Sequence, residues 1–245
     1  MAEKLDRKQL KRPDEFQVKA GQAMEWMVAH QRPLLAGLIA AAALVLIAWG
    51  FTAWRGAREA KAGAALSEAL DLQSRPITGE GAQPGVETFP SKEEREKAVM
   101  AALEKVRSEH PNTAAGTTAL AEIGFRKLKS GDAAGAEKDL QAFIQAAPKD
   151  HPLRIFAAES LGYAFEAQNK LDEARAAFEK LRELGMAERA DFQAARLDLV
   201  QGKPDAKAKL EKVAKDYPKD PVSMEANLRL ELAALPEQKK PQGKK

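Results

Sequence analysis

The chain contains no cysteine. This excludes a disulfide scaffold and a thiolate metal site, and it permits an oxidising compartment without selecting one. Histidine is also scarce, with only His30, His110 and His151 along the chain. None of the three has a second ligand residue three or four positions away, the spacing that places two ligands on one helical face. The sequence therefore predicts no metal site and no bound cofactor.

The sequence also lacks the short motifs that mark common catalytic sites. No G-x-S-x-G nucleophile motif is present, and no thiol nucleophile exists. The segment 131–138, GDAAGAEK, does not end in the Gly-Lys-Ser/Thr of a P-loop, and the glycines of 74–90 match neither that spacing nor the dinucleotide fingerprint. The many carboxylates fit the solvated faces of helices. We therefore predict that the chain is not an enzyme.

An excess of positive charge is absent from the main body of the chain. Residues 62–235 carry twenty-five basic against twenty-nine acidic side chains, and the net charge of +3 comes from the two ends. A mildly acidic domain is not typical of a nucleic-acid-binding protein. The terminal segment 236–245, PEQKKPQGKK, is too polar to pack and is predicted to be a disordered basic tail.

One long stretch without charge dominates the N-terminal part. Residues 34–54 read LLAGLIAAAALVLIAWGFTAW, and as a helix these residues would extend about 31 Å, close to the hydrocarbon thickness of a bilayer. A cleaved signal peptide would have a shorter apolar core and small residues where WGFTAW stands. Small residues on one side, Ala36, Ala40 and Ala43, leave helix dimerisation as an alternative. We predict a transmembrane signal-anchor helix over 33–55.

Basic residues predict the orientation of this span. Residues 1–32 hold seven Lys and Arg, whereas the twenty residues after the span hold three. The positive-inside rule then places 1–32 in the cytoplasm and the rest of the chain across the membrane. Apolar residues at three- and four-residue spacing predict a helix over 14–30. It is compatible both with an amphipathic helix on the inner leaflet and with a short helix that packs on nothing in particular.

Beyond the span, the pattern predicts an all-α domain over 57–235. The segment 74–90, with three prolines and three glycines, is predicted to be a loop. Helices rich in Ala, Leu, Glu and Lys follow, with breaks at Pro111, Pro148, Gly185, Gly202 and Pro218 and no alternating strand pattern. A last helix over 222–234 is predicted to cap the array.

Within this domain the sequence repeats itself. Gly124 and Gly162 lie 38 residues apart, as do Ala136 and Ala174. The small residues are expected where two helices of a pair cross. Larger residues, Leu140/Phe178 and Phe143/Leu181, are expected to fill the gap to the next pair. The segment LGYAFEAQNKLDEARAAFEKL resembles a tetratricopeptide repeat, and weaker copies flank it, so we predict an α-solenoid of three or four helix pairs.

The whole architecture resembles one family. A single-span anchor, a charged N-terminal segment and a Lys- and Ala-rich repeat array are similar to the ancillary subunit of the SecYEG translocon, a bacterial inner-membrane protein with periplasmic repeats. The resemblance covers roughly residues 13–235. It implies that the protein partners are translocon subunits, periplasmic chaperones or exported chains. The divergent third repeat and the longer cytoplasmic tail depart from the family pattern.

The resemblance also implies a binding groove lined by the first helix of each pair. The residues placed there are Phe125, Leu128, Phe156, Glu159, Tyr163, Glu166, Phe192 and Arg196. This mixture favours apolar or amphipathic peptide segments over a C-terminal carboxylate. The alternative is that these aromatic side chains pack between helices as core.

Three functions are compatible with the sequence. The first is an inner-membrane-anchored periplasmic adaptor for protein export or chaperone handover. The second is a structural scaffold of an envelope assembly for division, motility or outer-membrane biogenesis. The third is a membrane-tethered adaptor that faces the cytosol, which requires the inverted topology.

Overall fold

The computed structural model describes residues 15–79 and 85–235. Within these ranges the chain forms ten α-helices and no strand beyond an isolated parallel bridge between Ile77 and Phe89. The helices are α1 (Glu15–Ala29), α2 (Gln31–Asp71), α3 (Lys92–Glu109), α4 (Ala114–Lys129), α5 (Ala133–Ala146), α6 (Arg154–Ala167), α7 (Leu171–Glu183), α8 (Ala187–Val200), α9 (Ala206–Asp216) and α10 (Pro221–Ala234). The predicted all-α repeat fold with one long apolar N-terminal helix is confirmed. The predicted tail 236–245 and the first fourteen residues lie outside the described ranges.

The chain divides into two compact units at Ala57 and Arg58. The first contains α1 and the apolar part of α2, which is one candidate membrane span by length and composition. A break at His30 separates the two helices, although the His30 N–H still donates to the Trp26 carbonyl at 3.0 Å. Pro33 accounts for the break because it has no N–H to offer the carbonyl of Ala29.

The second unit consists of successive helical hairpins. Helix α3 packs on the C-terminal part of α2, and the pairs α4/α5, α6/α7 and α8/α9 follow, with α10 last among the described helices. All five predicted breaks fall in the connections between helices. In the predicted loop 74–90, the described ends are held together by backbone hydrogen bonds between Thr78 and Phe89 and between Phe89 and Pro76.

The turn inside each hairpin has the same geometry in three pairs. Gly131, Asn169 and Gly202 all adopt positive φ, at 91°, 60° and 68°. In each turn the following residue donates its N–H to a carbonyl five residues back, as from Lys170 to Phe165 at 2.9 Å. This is a Schellman motif, which glycine and asparagine tolerate best. Asp132, in the segment that superficially resembles a P-loop, accepts a hydrogen bond from Gly135 N–H at 2.9 Å and so caps α5.

Glycine sets the close approach of the two helices within a pair. A Cβ added to Gly162 would lie 2.3 Å from Cε1 of Phe178, and one added to Gly124 would lie 2.7 Å from Cγ of Leu140. The prediction that Gly124 and Gly162 allow close approach agrees with this packing. Leu140 and Phe178, which were assigned to the gap between neighbouring pairs, cover the glycine of their own pair. Phe178 also faces the next pair, because the guanidinium of Arg196 lies 5.5 Å from its ring centre.

Buried side chains form three clusters along the second unit. The central cluster joins α4 to α8 and includes Phe143, Phe178 and Leu197. A second cluster joins α2, α3 and α4, and a third joins α8, α9 and α10 around Phe192 and Leu210. Helices α4 and α8 contribute to two clusters each, so each couples the pairs on its two sides.

Helix α10 lies at the position predicted for the last helix, 222–234. Its inner face is buried through Val222 and Ala226, as a capping helix requires. Its outer face is mixed, with exposed Glu231 beside apolar side chains, whereas a terminal cap normally has a polar outer face. The exposed apolar side chains are Met224, Leu228, Leu232 and Leu235, of which Met224 is 78 % exposed.

Candidate protein-binding surface

All eight residues predicted to line a groove lie on the first helices of their pairs, as the resemblance implied. Phe125 and Leu128 belong to α4, the four residues Phe156, Glu159, Tyr163 and Glu166 to α6, and Phe192 and Arg196 to α8. The structure brings α6 and α8 together as neighbours, so their side chains meet. The polar side chains of the two helices form a network of hydrogen bonds and ion pairs with one another.

Glu159 is at the centre of the first half of this network. Its Oε1 accepts hydrogen bonds from Arg189 Nε and from Gln193 Nε2, both at 2.6 Å. Gln193, which is fully buried, also donates to the hydroxyl of Tyr163. Burial raises the pKa of Tyr163, and the nearby charge of Glu159 adds to that rise. Arg189 continues the network to α10 through Glu225 at 2.6 Å.

Arg196 and Glu166 form the second half. The guanidinium NH1 and NH2 groups donate to the two carboxylate oxygens of Glu166 at 2.9 and 2.6 Å, a bidentate arrangement. Arg196 is 6 % exposed, and its guanidinium lies 5.2 Å from the ring centre of Tyr163 and 5.5 Å from that of Phe178. Burial, the largest single effect, lowers the pKa of Arg196, but the hydrogen bonds and charge of Glu166 together with the neighbouring Tyr163 and Glu159 raise it overall.

These contacts change the role of four predicted groove residues. Glu159, Tyr163, Glu166 and Arg196 satisfy one another and Gln193 across the α6–α8 interface, because a spacing of about thirty residues places them on facing sides of adjacent first helices. A buried and paired charge is costly to release to a ligand. The network therefore fixes the angle between two repeats, and its members are not free binding groups.

Phe192 does not line a groove. Its side chain is 1 % exposed and packs with Ala195, Leu210 and Val213 in the third cluster. Phe125 and Leu128 are partly buried against the central cluster. The alternative that these aromatic side chains are core is correct for Phe192.

Phe156 is the one aromatic member of the predicted set that is exposed, at 58 %. It precedes Glu159 by one turn on α6, next to the end of the network that Arg189 joins. An exposed phenylalanine beside a rigid polar network is suited to contact with an apolar partner residue. It remains a proposed binding residue.

Gln193 and Arg189 were not predicted from the sequence, although both complete the network. Glutamine and arginine on a helix are usually solvated, and only the approach of α6 shows that Gln193 is buried. Among the described residues, no group of three or more His, Asp or Glu side chains is placed to hold a metal ion. His30 stacks on Trp26, and His151 packs edge-on against Phe143.

Comparison with known proteins adds one match. The family model of the tetratricopeptide repeat matches residues 160–184, which cover most of α6 and all of α7. No curated protein and no solved structure matches the chain. The matched segment contains the Gly162–Phe178 contact and the left-handed turn at Asn169, so this hairpin is similar to a tetratricopeptide repeat, a unit that indicates a protein-binding role.

Proposed function

We propose that this chain is an inner-membrane-anchored periplasmic adaptor, which binds protein partners through its helical repeats and acts with the Sec translocon in chaperone handover of exported proteins. The observation that carries the proposal is one helix, α2, which contains an apolar candidate span and supplies the first helix of a hairpin array. An array of hairpins presents an extended surface to protein partners. Attached to a span, that surface would capture proteins at a membrane.

The periplasmic location is supported by the excess of basic residues before the span. Because the chain has no cysteine, single-cysteine variants have no labelling background. Gln22→Cys in α1 and Ala208→Cys in α9 change exposed side chains on opposite sides of the span. A membrane-impermeant maleimide should label Ala208→Cys in intact spheroplasts and Gln22→Cys only after lysis. The opposite pattern would place the repeats in the cytoplasm.

The link to export is tested by the identity and variation of the partners. Crosslinking in cells that overproduce an exported protein should change the set of proteins bound to the repeats, whereas control cells should show the translocon and chaperones alone. The Phe156→Ala variant should reduce this capture. An unchanged set of partners in both conditions would count against an export adaptor.

A structural scaffold is the second candidate, and the α6–α8 network favours it. Side chains that could have formed a flexible groove instead lock two repeats together. A rigid array suits fixed partners. A single partner at constant stoichiometry, whatever the export load, is the expected result for a scaffold.

A further inference from the structure

Two grooves lie at equivalent positions in successive repeats. The first, which we call the α6 groove, has α6 as its floor and α5 and α7 as its walls, and it encloses about 510 Å³. The second has α8 as its floor, with walls from α7 and α9, and it encloses about 230 Å³. Leu161 and Ala194, 33 residues apart, occupy matching places in the two floors. Corresponding positions can therefore be compared directly.

The α6 groove is lined mainly by apolar side chains. From the floor come Ala158, Leu161 and Phe165, spaced by three and four residues along one face of α6. The walls add Ile144 from α5, Ala176 and Ala177 from α7, and Leu184 directly after α7. From Ala158 to Phe165 the floor rises about 10 Å, or two turns of helix. This length fits a short helical segment.

The second groove carries charges at the same places. Asp191 and Asp198 occupy the positions of Ala158 and Phe165, and Lys209 that of Ala177. These charges close the groove: Asp191 bonds to Arg182 and to Tyr217, both at 2.6 Å, and Asp198 bonds to Arg175 and Lys209. An apolar lining is therefore not required at this position of the repeat. In the α6 groove the inner parts of Leu161 and Phe165 belong to the central cluster, and their outer edges, 9 % and 8 % exposed, form the apolar surface of the groove.

The α6 groove is also held open. The connection between α5 and α6 covers residues 147–153, whereas that between α7 and α8 covers only 184–186. Arg154 fastens the longer connection, because its NH1 group donates to the carbonyls of Ile144 at 2.8 Å and Ala147 at 3.0 Å. The larger groove therefore lies beside the longer connection, which Arg154 holds in place. The width of the α6 groove is set by this arrangement of backbone and side chain.

Charges at the two ends of the α6 groove differ in sign. At the Phe165 end, α7 contributes Glu173 to the rim. At the Ala158 end, the rim has Arg154 and Lys180, and Lys180 is paired with Glu183 at 2.9 Å. The net charge of that end is positive. A helix with acidic residues in its first turn and basic residues in its last, the arrangement that its own dipole favours, matches these ends when it runs parallel to α6.

We propose that the α6 groove binds an amphipathic helix of a partner protein, acidic at its N-terminus and basic at its C-terminus, which lies parallel to α6. Its apolar stripe would cover Leu161 and Phe165, and its ends would face Arg154 and Glu173. The inference rests on the proposed role in protein binding and names the surface and the chemistry of the partner.

The test uses the full chain in nanodiscs of zwitterionic lipid and a fluorescent helical peptide of about fourteen residues. The peptide has glutamates in its first turn, lysines in its last, and leucines at i, i+4 and i+7 on an alanine background. A peptide of the same composition with the leucines spread around the helix controls for general stickiness. Empty nanodiscs give the background from lipid. Fluorescence anisotropy reports the dissociation constant.

Matched variants locate the binding site. Ala176 in the wall of the α6 groove and Ala208 at the equivalent place on α9 are both exposed, so a charge at either leaves the core intact. Ala176→Glu and Ala176→Lys should each weaken peptide binding at least about tenfold, because either sign is buried under the apolar stripe. Ala208→Glu should leave binding unchanged. Glu173→Lys should weaken it about threefold by reversing one end charge.

Several results would overturn the proposal. The wild-type chain could fail to bind the striped peptide, could bind both peptides equally, or could bind equally after the Ala176 changes. Sedimentation of the chain without peptide tests the other occupant: a dimer that dissociates in Ala176→Glu would assign the groove to a second copy. None of these results bears on capture of cellular partners by the repeats, so the proposed function would be judged separately by crosslinking.

Discussion

Replacing Gly162 with alanine should destabilise the repeat unit, although alanine is the better helix former. The new Cβ would lie 2.3 Å from Cε1 and 2.6 Å from Cδ1 of Phe178. The Phe178 ring is 1 % exposed and is confined by Tyr163, at 5.3 Å between ring centres, and by the guanidinium of Arg196. Overpacking of this kind costs about 1–3 kcal/mol, and the gain in helix propensity returns about 1 kcal/mol. The expected net loss is therefore up to about 2 kcal/mol of unfolding free energy.

Gly63→Ala in α2 is the matched control. No heavy atom beyond the helix's own neighbourhood lies within 4 Å of the Cβ that this change adds. The same substitution should therefore stabilise the chain by about 0.5–1 kcal/mol. Urea unfolding of the full chain in detergent, followed by far-UV circular dichroism, should shift in opposite directions for the two variants. Equal shifts in the stabilising direction would refute the close contact between α6 and α7.

A compensating change extends the test. The next repeat has Ala195 and Leu210 where this one has Gly162 and Phe178, and both side chains lie in the third cluster. The double variant Gly162→Ala/Phe178→Leu reproduces that combination. It should be more stable than the sum of the single effects predicts, with a coupling of about 1–3 kcal/mol. Simple additivity would show that the two residues do not share one space.

Three further outcomes are expected. Asp198→Asn should lower the free energy of unfolding by about 1–3 kcal/mol at neutral pH. Burial opposes the charge of Asp198, but its lysine and arginine partners hold its pKa well below the usual value. A pKa that is lower in the folded state stabilises the fold above the unfolded pKa of about 4, so the difference between variant and wild type should shrink below that pH. Arg196→Lys should lower the free energy of unfolding by about 2–3 kcal/mol, because one ammonium group cannot replace the bidentate bond to Glu166. Thermal unfolding of this variant with and without Glu166→Gln measures the coupling between the two residues. Phe192→Ala should cost about 3–5 kcal/mol while Phe156→Ala changes stability by less than about 0.5 kcal/mol, and equal losses in urea unfolding would show that their assigned burial is wrong.

The helical hairpins could be predicted because their signals are local. Glycine at 38-residue spacing and breaks at proline and glycine depend on neighbours within a turn or a hairpin, and the structure has helices between those breaks. Local rules were sufficient for element type and for the pairing of helices.

The contacts of the predicted groove residues could not be predicted because they depend on the rotation of each helix. From Gly162 to Ala195 the step is 33 residues rather than 38, so Phe192 corresponds to Glu159, and Arg189 corresponds to Phe156. The assignment of Phe192 to the groove treated Phe156 and Phe192 as equivalent positions, although the two residues lie on different faces of their helices. The pairing of Glu166 with Arg196 likewise depends on the distance between two first helices, which no spacing within one helix reports.

The row of exposed apolar side chains on α10 also affects how the protein behaves at high concentration. Met224, Leu228 and Leu232 form a continuous exposed row at four-residue intervals along that helix. Rows of this kind make molecules adhere to one another as they are crowded together. Aggregation is therefore expected in concentrated samples. Charged substitutions along this row, away from the buried Val222 and Ala226, should reduce it.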